Sequence, residues 1–297
     1  MSFSSQAKTE LCRAPISRRC CARAEAYGIL LYCNQFTGSQ VRIVTESSDF
    51  AARLPNLFQK AFKITFDTLP EDGAGKYTFS IRDADKLRTL WNAFDCAPEE
   101  TLAHHINFAM VEEDHCRTAL FRGAFLAGGS VTDPAKDYHL ELTTSHKSAG
   151  RELLALMREE GFQPKASARK GSQMIYFKQS NFIEDFLTAI GAPVSAMGVM
   201  TAKLEKDLNG SINRQVNCDA ANLDKTVEAA QTQIEAIRRL QASGQLDQLP
   251  DKLQQAARLR LLYPEYNLSQ LAQQHEPPVS KSTLNHRLRR LLELGRV

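Results

Sequence analysis

The stretch FRGAFLAGGSV, Phe121 to Val131, sets the problem. It reads as the core of a helix, yet Gly123, Ala124, Ala127 and Gly128 crowd into six positions and Gly129 follows. A glycine inside a helix costs about 1 kcal/mol relative to alanine. A chain that spends this twice needs a packing reason, and small side chains supply one by letting a second helix approach closely.

The sequence offers such a second helix upstream. The chain reads as two copies of one order of elements, about residues 20–95 and 115–192. The first copy predicts a helix over 22–34, a strand over 41–45, a helix over 49–62, strands over 63–68 and 76–81, and a helix over 84–94. The second predicts a helix over 116–128, a strand over 138–143, a helix over 148–160, strands over 162–168 and 173–177, and a helix over 182–190. Strands are read from alternation of β-formers, as in VRIVT and YTFSI, and helices from period, as in Leu153, Leu154 and Met157. Turn signals separate them: GAGK at Gly73, TDPAKD at Thr132, ARKGS at Ala168. Gly28 in the first copy corresponds to Gly123 in the second, an offset of 95. One copy alone leaves a sheet face bare; two packed by their opening helices make one pseudo-symmetric domain. Gly123, Ala124 and Ala127 then form a flat contact face.

Bulk composition narrows the classes. The chain has 297 residues, 43% hydrophobic and 24% charged, the profile of a globular protein of about two domains. Net charge is only +3, so nucleic-acid binding has to come from local basic patches. The seven cysteines are odd in number and scattered, with no CxxC pair, which fits a reducing compartment better than a disulfide scaffold or a zinc site. His104-His105 and His115-Cys116 lack partners at ligand spacing, so no metal and no cofactor is expected. The N-terminus has no signal-peptide core, and no apolar run reaches the roughly 18 residues of a membrane span.

After Ile190 the character changes. GAPVSAMG reads as a linker and about 200–240 as polar helix, with Leu223, Val227, Ala230, Ile234 and Ile237 on one face. In the last segment, Leu253, Ala256, Ala257 and Leu261 form a stripe that stops before Pro264. Asn267 caps a short helix with Gln270 at the capping-box position, and Ser280 caps a third helix whose buried stripe is Leu284, Leu288, Leu291 and Leu292. A short capped helix, a tight connection and a basic helix read as a helix-turn-helix. From Val279 to Val297 there are five Lys/Arg against one acid. The candidate DNA contacts are Ser280, Lys281, Ser282, Thr283, Asn285, His286, Arg287, Arg289 and Arg290. The first turn suits phosphates, and Asn or Arg suits base edges. A second basic surface is the hairpin carrying Lys165, Arg169, Lys170 and Lys178, with Arg18, Arg19 and Arg23 at the entry to the first opening helix; a merely solvated face is the alternative for both.

Phe121–Ser130 is similar to the motif helix of the LAGLIDADG homing endonucleases. In those enzymes, the resemblance implies, the last acidic residue of each motif helix holds Mg²⁺ beside the scissile phosphate. Here those positions are Gly128 and, in AYGILLYCNQ, Cys33. Neither is a Mg²⁺ ligand, and the resemblance therefore implies a scaffold without catalytic residues. From CCARAE onward the whole chain resembles the WhiA family of sporulation and cell-division regulators. The most specific stretches are RGAFLAGGSVTDPAKDYHLEL, NRQVNCDAANLDKT and VSKSTLNHRLRRL. The fold this implies is α+β: a duplicated, pseudo-symmetric LAGLIDADG-like αββαββα domain over 1–192, a helical linker over 193–245, and an all-α helix-turn-helix domain over 246–297. The function it implies is sequence-specific binding of double-stranded DNA in transcription and cell division, in the cytoplasm and on the nucleoid. A sigma factor or another regulator is the implied protein partner, with no small-molecule substrate and no membrane. A residual endonuclease and a non-DNA division scaffold are the alternatives.

Overall fold

The computed structural model describes residues 2–70, 75–95, 103–169 and 171–296, and the chain divides into two units, Met1–Asp207 and Leu208–Val297. The first unit opens with α1 (Phe3–Cys12), capped by Ser2. Then come α2 (Arg19–Tyr32), β1 (Gln35–Phe36), β2 (Val41–Thr45), α3 (Ser48–Phe62), β3 (Tyr77–Ile81) and α4 (Ala84–Ala93). The second copy follows a 3-10 turn at Phe108–Val111: α5 (Asp114–Gly128), β4 (Gly129–Val131), β5 (Leu140–Thr144), α6 (Lys147–Glu159), β6 (Lys165–Arg169), β7 (Ser172–Phe177) and α7 (Ser180–Ile190).

The glycines of α2 and α5 meet. A Cβ on Gly28 would lie 2.2 Å from the Leu120 carbonyl oxygen, and one on Gly123 would lie 2.0 Å from that of Glu25. Leu120 is Glu25 displaced by the same 95 residues, so the contact is reciprocal about the pseudo-two-fold axis. Backbone touches backbone, and any side chain would force the helices apart. Every residue from Ala24 to Cys33 is buried, as expected of a helix packed on all sides. Among them Glu25, 2% exposed, takes both Nε (2.6 Å) and Nη2 (2.9 Å) of Arg53 on α3, and Arg122 of α5 approaches it at 3.4 Å. The buried charge is therefore paired and tied to both neighbouring helices.

Each copy carries an antiparallel sheet. The second has the order β4-β5-β7-β6, and the first only β1-β2-β3. The predicted strand over 63–68 does not form. Lys63 caps α3 in the left-handed region at φ 60, and Asp67 turns its carboxylate onto the N–H groups of Arg82 and Asp83. Only a bridge from Thr68 to Ser80 remains of the pairing. The short strands β1 and β4 and the helix α1 are elements that the sequence pattern does not announce. The GAGK turn at Gly73 lies partly outside the described residues.

GAPVSAMG is not a linker. Gly191 ends α7 in the left-handed region at φ 100, and α8 (Pro193–Ala242) starts immediately, with proline at its first position where no N–H is missed. Glu10 of α1 accepts from the Val194 and Ser195 N–H groups at 2.7 and 2.9 Å, satisfying the orphan donors of that first turn. Gly198 lies against the ring of Phe3. From residue 211 to 225 every side chain of α8 is exposed.

The second unit is all helical: the last turns of α8, α9 (Asp251–Leu262), α10 (Leu268–Gln273) and α11 (Lys281–Leu294). Ile237, Leu240, Ala256, Ala257, Leu271, Leu284 and Leu288 form its own small core. Among the described residues no helix is long and apolar enough to cross a membrane.

Candidate nucleic-acid interface

The helix-turn-helix is fixed by its caps. Asn267 accepts from Ser269 and Gln270 N–H (2.9 and 3.0 Å), and Gln270 returns an acceptor to the Asn267 N–H at 3.0 Å, a complete capping box. Ser280 accepts from Thr283 N–H at 3.1 Å. These caps take particular first-turn donors, the Thr283 N–H in α11, and set where α10 and α11 begin. Leu284, Leu288 and Leu291 are at most 1% exposed, which turns the opposite side of α11 outward.

That outward side holds Lys281, Ser282, Thr283, His286, Arg289 and Arg290, all exposed. Ser280, also exposed, stands at the cap. Arg290 is bridged along the helix to Glu293 at 3.0 Å. Two of the expected DNA residues stand apart. Arg287 is half-buried and donates to Nε2 of His275 at 2.6 Å. Because Arg only donates, this imidazole accepts at Nε2, and its Nδ1–H points to the Pro277 carbonyl at 3.3 Å. Burial, then the Arg287 charge, pushes the His275 pKa below 6.5, which keeps the ring neutral. Arg287 thus braces the connection before α11. Asn285 is half-buried and lines a groove with Asn222, Lys225 and Thr226 of α8. The floor of the groove is polar: Arg260 gives Nη1 to the Tyr266 carbonyl at 2.7 Å, while its Nε and the Gln233 Oε1 are buried with no hydrogen-bond partner among the described residues. Lys225 was not legible as part of this surface, because it reaches α11 only through the fold.

The basic hairpin is β6–β7, in register Lys165 to Tyr176 and Arg169 to Ser172. Lys165 is exposed on β6, the edge strand. Lys178 lies over the Tyr176 ring, 5.7 Å from its centroid. Arg169 ends β6, and Lys170 lies outside the described residues. Arg18 and Arg19 are exposed at the start of α2, whereas Arg23 donates to the Ala61 carbonyl at 3.3 Å.

The motif ends are sealed. Cys33 is 8% exposed, its thiol held at 3.2 Å from the Leu30 and Gln35 carbonyls, and burial pushes its pKa up to about 12. A Cβ on Gly128 would lie 2.5 Å from the Thr143 carbonyl and 2.9 Å from the Tyr32 ring. No carboxylate can stand there without displacing both. At the other end of the same helices the fold corrects the reading of the cysteines as scattered: Cys20, Cys21, His115 and Cys116 bring their donor atoms within 4.8 Å of one another.

The chain is similar along its length to known proteins. It is 33% identical to "Probable cell division protein WhiA" of Ruminiclostridium cellulolyticum, over 99% of this chain and 97% of that protein. With the protein of the same name from Clostridium novyi the figure is 36%, over 99% and 98%. The family model of the WhiA LAGLIDADG-like domain matches residues 117–209, and that of the WhiA C-terminal HTH domain matches residues 212–295. The chain belongs to the WhiA family. The crystal structure of full-length DUF199/WhiA from Thermatoga maritima has the same fold, with a TM-score of 0.61 at 22% identity, covering all of this chain and 98% of that one. The WhiA fold is therefore present in both parts: a LAGLIDADG-like α+β domain and a helical HTH domain that contains α9, α10 and α11.

Proposed function

We propose that this chain is a non-catalytic, sequence-specific DNA-binding regulator acting in transcription and cell division. The observation that carries the proposal is α11: a capped helix, seated on its leucine stripe, that presents Lys281 and Ser282 to solvent in its first turn and His286, Arg289 and Arg290 further along the same helix. That arrangement matches a recognition helix, with first-turn donors for phosphate and longer side chains for base edges. Lys225 adds a cation beside the groove that Asn285 lines. The relatives' name, a cell division protein, supports the cellular role. The absence of an acid at Cys33 and the backbone packed against Gly128 support the lack of nuclease chemistry.

Double-stranded DNA is the partner; Lys165, Arg169 and Lys170 of the hairpin form a supplementary backbone contact, and the protein resides on the nucleoid. A sigma factor or another regulator as protein partner rests on the resemblance alone. The experiment is a set of binding isotherms of the full chain on genomic and random duplexes across salt concentrations. Log affinity should fall linearly with log salt, and Arg289→Ala with Arg290→Ala should lower affinity at least tenfold, given about 1 kcal/mol or more per contact. Unchanged affinity in that variant would remove α11 from the interface. Full binding by the variant with normal salt dependence would shift the interface to the hairpin.

A further inference from the structure

The four donors at the start of α2 and α5 form a constellation that DNA binding does not use. Cys20 and Cys21 are the second and third residues of α2; His115 and Cys116 are the second and third of α5. The offset of 95 that relates Gly28 to Gly123 carries Cys20 onto His115 and Cys21 onto Cys116. Each copy of the repeat thus offers two adjacent nitrogen or sulfur donors at the same place, and the pseudo-two-fold axis brings the pairs face to face. His115 Nδ1 lies 3.4 Å from the Cys21 sulfur and 3.2 Å from that of Cys116. All four donor atoms fall within 4.8 Å of one another.

These distances fit a tetrahedral ion. Zinc binds thiolate at about 2.3 Å and imidazole at about 2.0–2.1 Å, which places neighbouring ligand atoms about 3.5–3.8 Å apart. Three sulfurs and one imidazole are a soft, nitrogen-containing set that suits Zn²⁺ and not Mg²⁺ or Ca²⁺. The electrostatics agree. Zinc with three thiolates and a neutral imidazole carries one net negative charge, and it would face the positive ends of two helix dipoles with Arg18 and Arg19 beside it. Two ligands per helix also fix both helix ends, which a single disulfide would not do.

We propose that Cys20, Cys21, His115 and Cys116 bind one structural Zn²⁺ that rivets the two copies of the repeat together at the N-terminal ends of α2 and α5. The three thiol protons go to solvent on binding. All four positions are filled by protein, so the ion has no open site for water and no catalytic role.

The test uses the full chain, untagged and purified under reducing conditions. Elemental analysis should give about one zinc per chain. After removal of zinc, Co²⁺ should bind with the strong visible bands of a tetrahedral site and a thiolate-to-cobalt charge-transfer band. Cys20→Ser, at an exposed position, should lower Co²⁺ affinity by roughly 100-fold or more. His115→Ala should alter the visible bands while keeping thiolate charge transfer. Cys33→Ser, at a thiol remote from the cluster, should leave both intact. If Cys116→Ser fails to fold, competition between the unmodified chain and a chromophoric zinc chelator supplies the affinity independently. Folded, reduced chain without stoichiometric zinc and without cobalt thiolate bands would overturn the proposal. So would a Cys21–Cys116 disulfide found in place of zinc in the chain as isolated, with free thiols alkylated at lysis before any reductant or chelator is added.

Discussion

Gly28 and Gly123 each occupy space that no side chain can share, and their cost in helix propensity is outweighed by the contact they permit. Gly28→Ala places a methyl 2.2 Å from a carbonyl oxygen of the opposite helix, so the backbone has to move. The expected loss is about 1–3 kcal/mol of stability, at the upper end because backbone is the obstacle. Gly75, where an added Cβ would meet nothing within 4 Å, is the control: Gly75→Ala should be near neutral. Denaturation followed by the fluorescence of Trp91, the one tryptophan, reads both. Gly128 makes a different point. Gly128→Asp with Cys33→Asp restores the acids of a nuclease motif in sequence only, since Tyr32 and the Thr143 backbone already occupy the space. That double variant should be less stable and should cleave no plasmid with Mg²⁺ or Mn²⁺; metal-dependent nicking would show that the site can still be assembled.

The proposed role of α11 divides its residues into two groups that substitution can tell apart. Lys281→Ala should weaken binding to specific and random duplex alike and reduce the salt slope by about one ion. Arg289→Ala and Asn285→Ala should cost about 1–3 kcal/mol on the preferred site and less on random DNA, with Asn285 the weaker of the two because it sits half-buried in the groove. Equal losses on both duplexes would reduce α11 to a backbone clamp. The connection before α11 carries a pH dependence. His275 has a folded pKa below 6.5, so as pH falls below about 6.5 the unfolded chain takes up the proton first and stability drops; below the folded value no further loss accrues. Hydrogen exchange of α11 amides, relative to unstructured amides at the same pH, should therefore accelerate between pH 6.5 and the folded pKa, and His275→Gln should flatten the profile. Most of these helices were legible, because caps such as Asn267 and Ser280 and the leucine spacing act locally. The strand over 63–68 was not: KITFDT alternates like a strand, but Lys63 closes α3 and Asp67 caps a turn. Likewise Gly191 and Pro193 read as loop punctuation although they end one helix and start the next. The partition of α11 into Arg287, which braces, and Arg289, which stays exposed, depends on His275, 12 residues before Arg287, and could not be read from period.

Two cores, one in each unit, depend on different parts of α8, and between them residues 211–225 have no buried side chain. Within it, residues 211–221 precede the groove that Asn222 and Lys225 line, and this exposed helical stretch is held mainly by propensity and opens readily. Limited trypsin digestion should cut first at Arg214 and release two stable fragments, mapped by mass spectrometry; early cuts inside α3 or α11 instead would contradict this. At this scale the duplication was the legible feature, through the offset between Gly28 and Gly123, and the same offset held the cysteine cluster in plain view. Ligand spacing along the chain does not reveal it, because the partners are placed by symmetry. The reciprocal seam has a consequence for how such a molecule can change over generations. Each half is the mould against which the other is cast, so a new side chain at Gly28 is rejected by the opposite copy and not by its own surroundings. The two halves differ in the number of strands and in the residue at the end of the motif helix, Cys33 against Gly128, but at the seam neither half is free to vary without the consent of its twin.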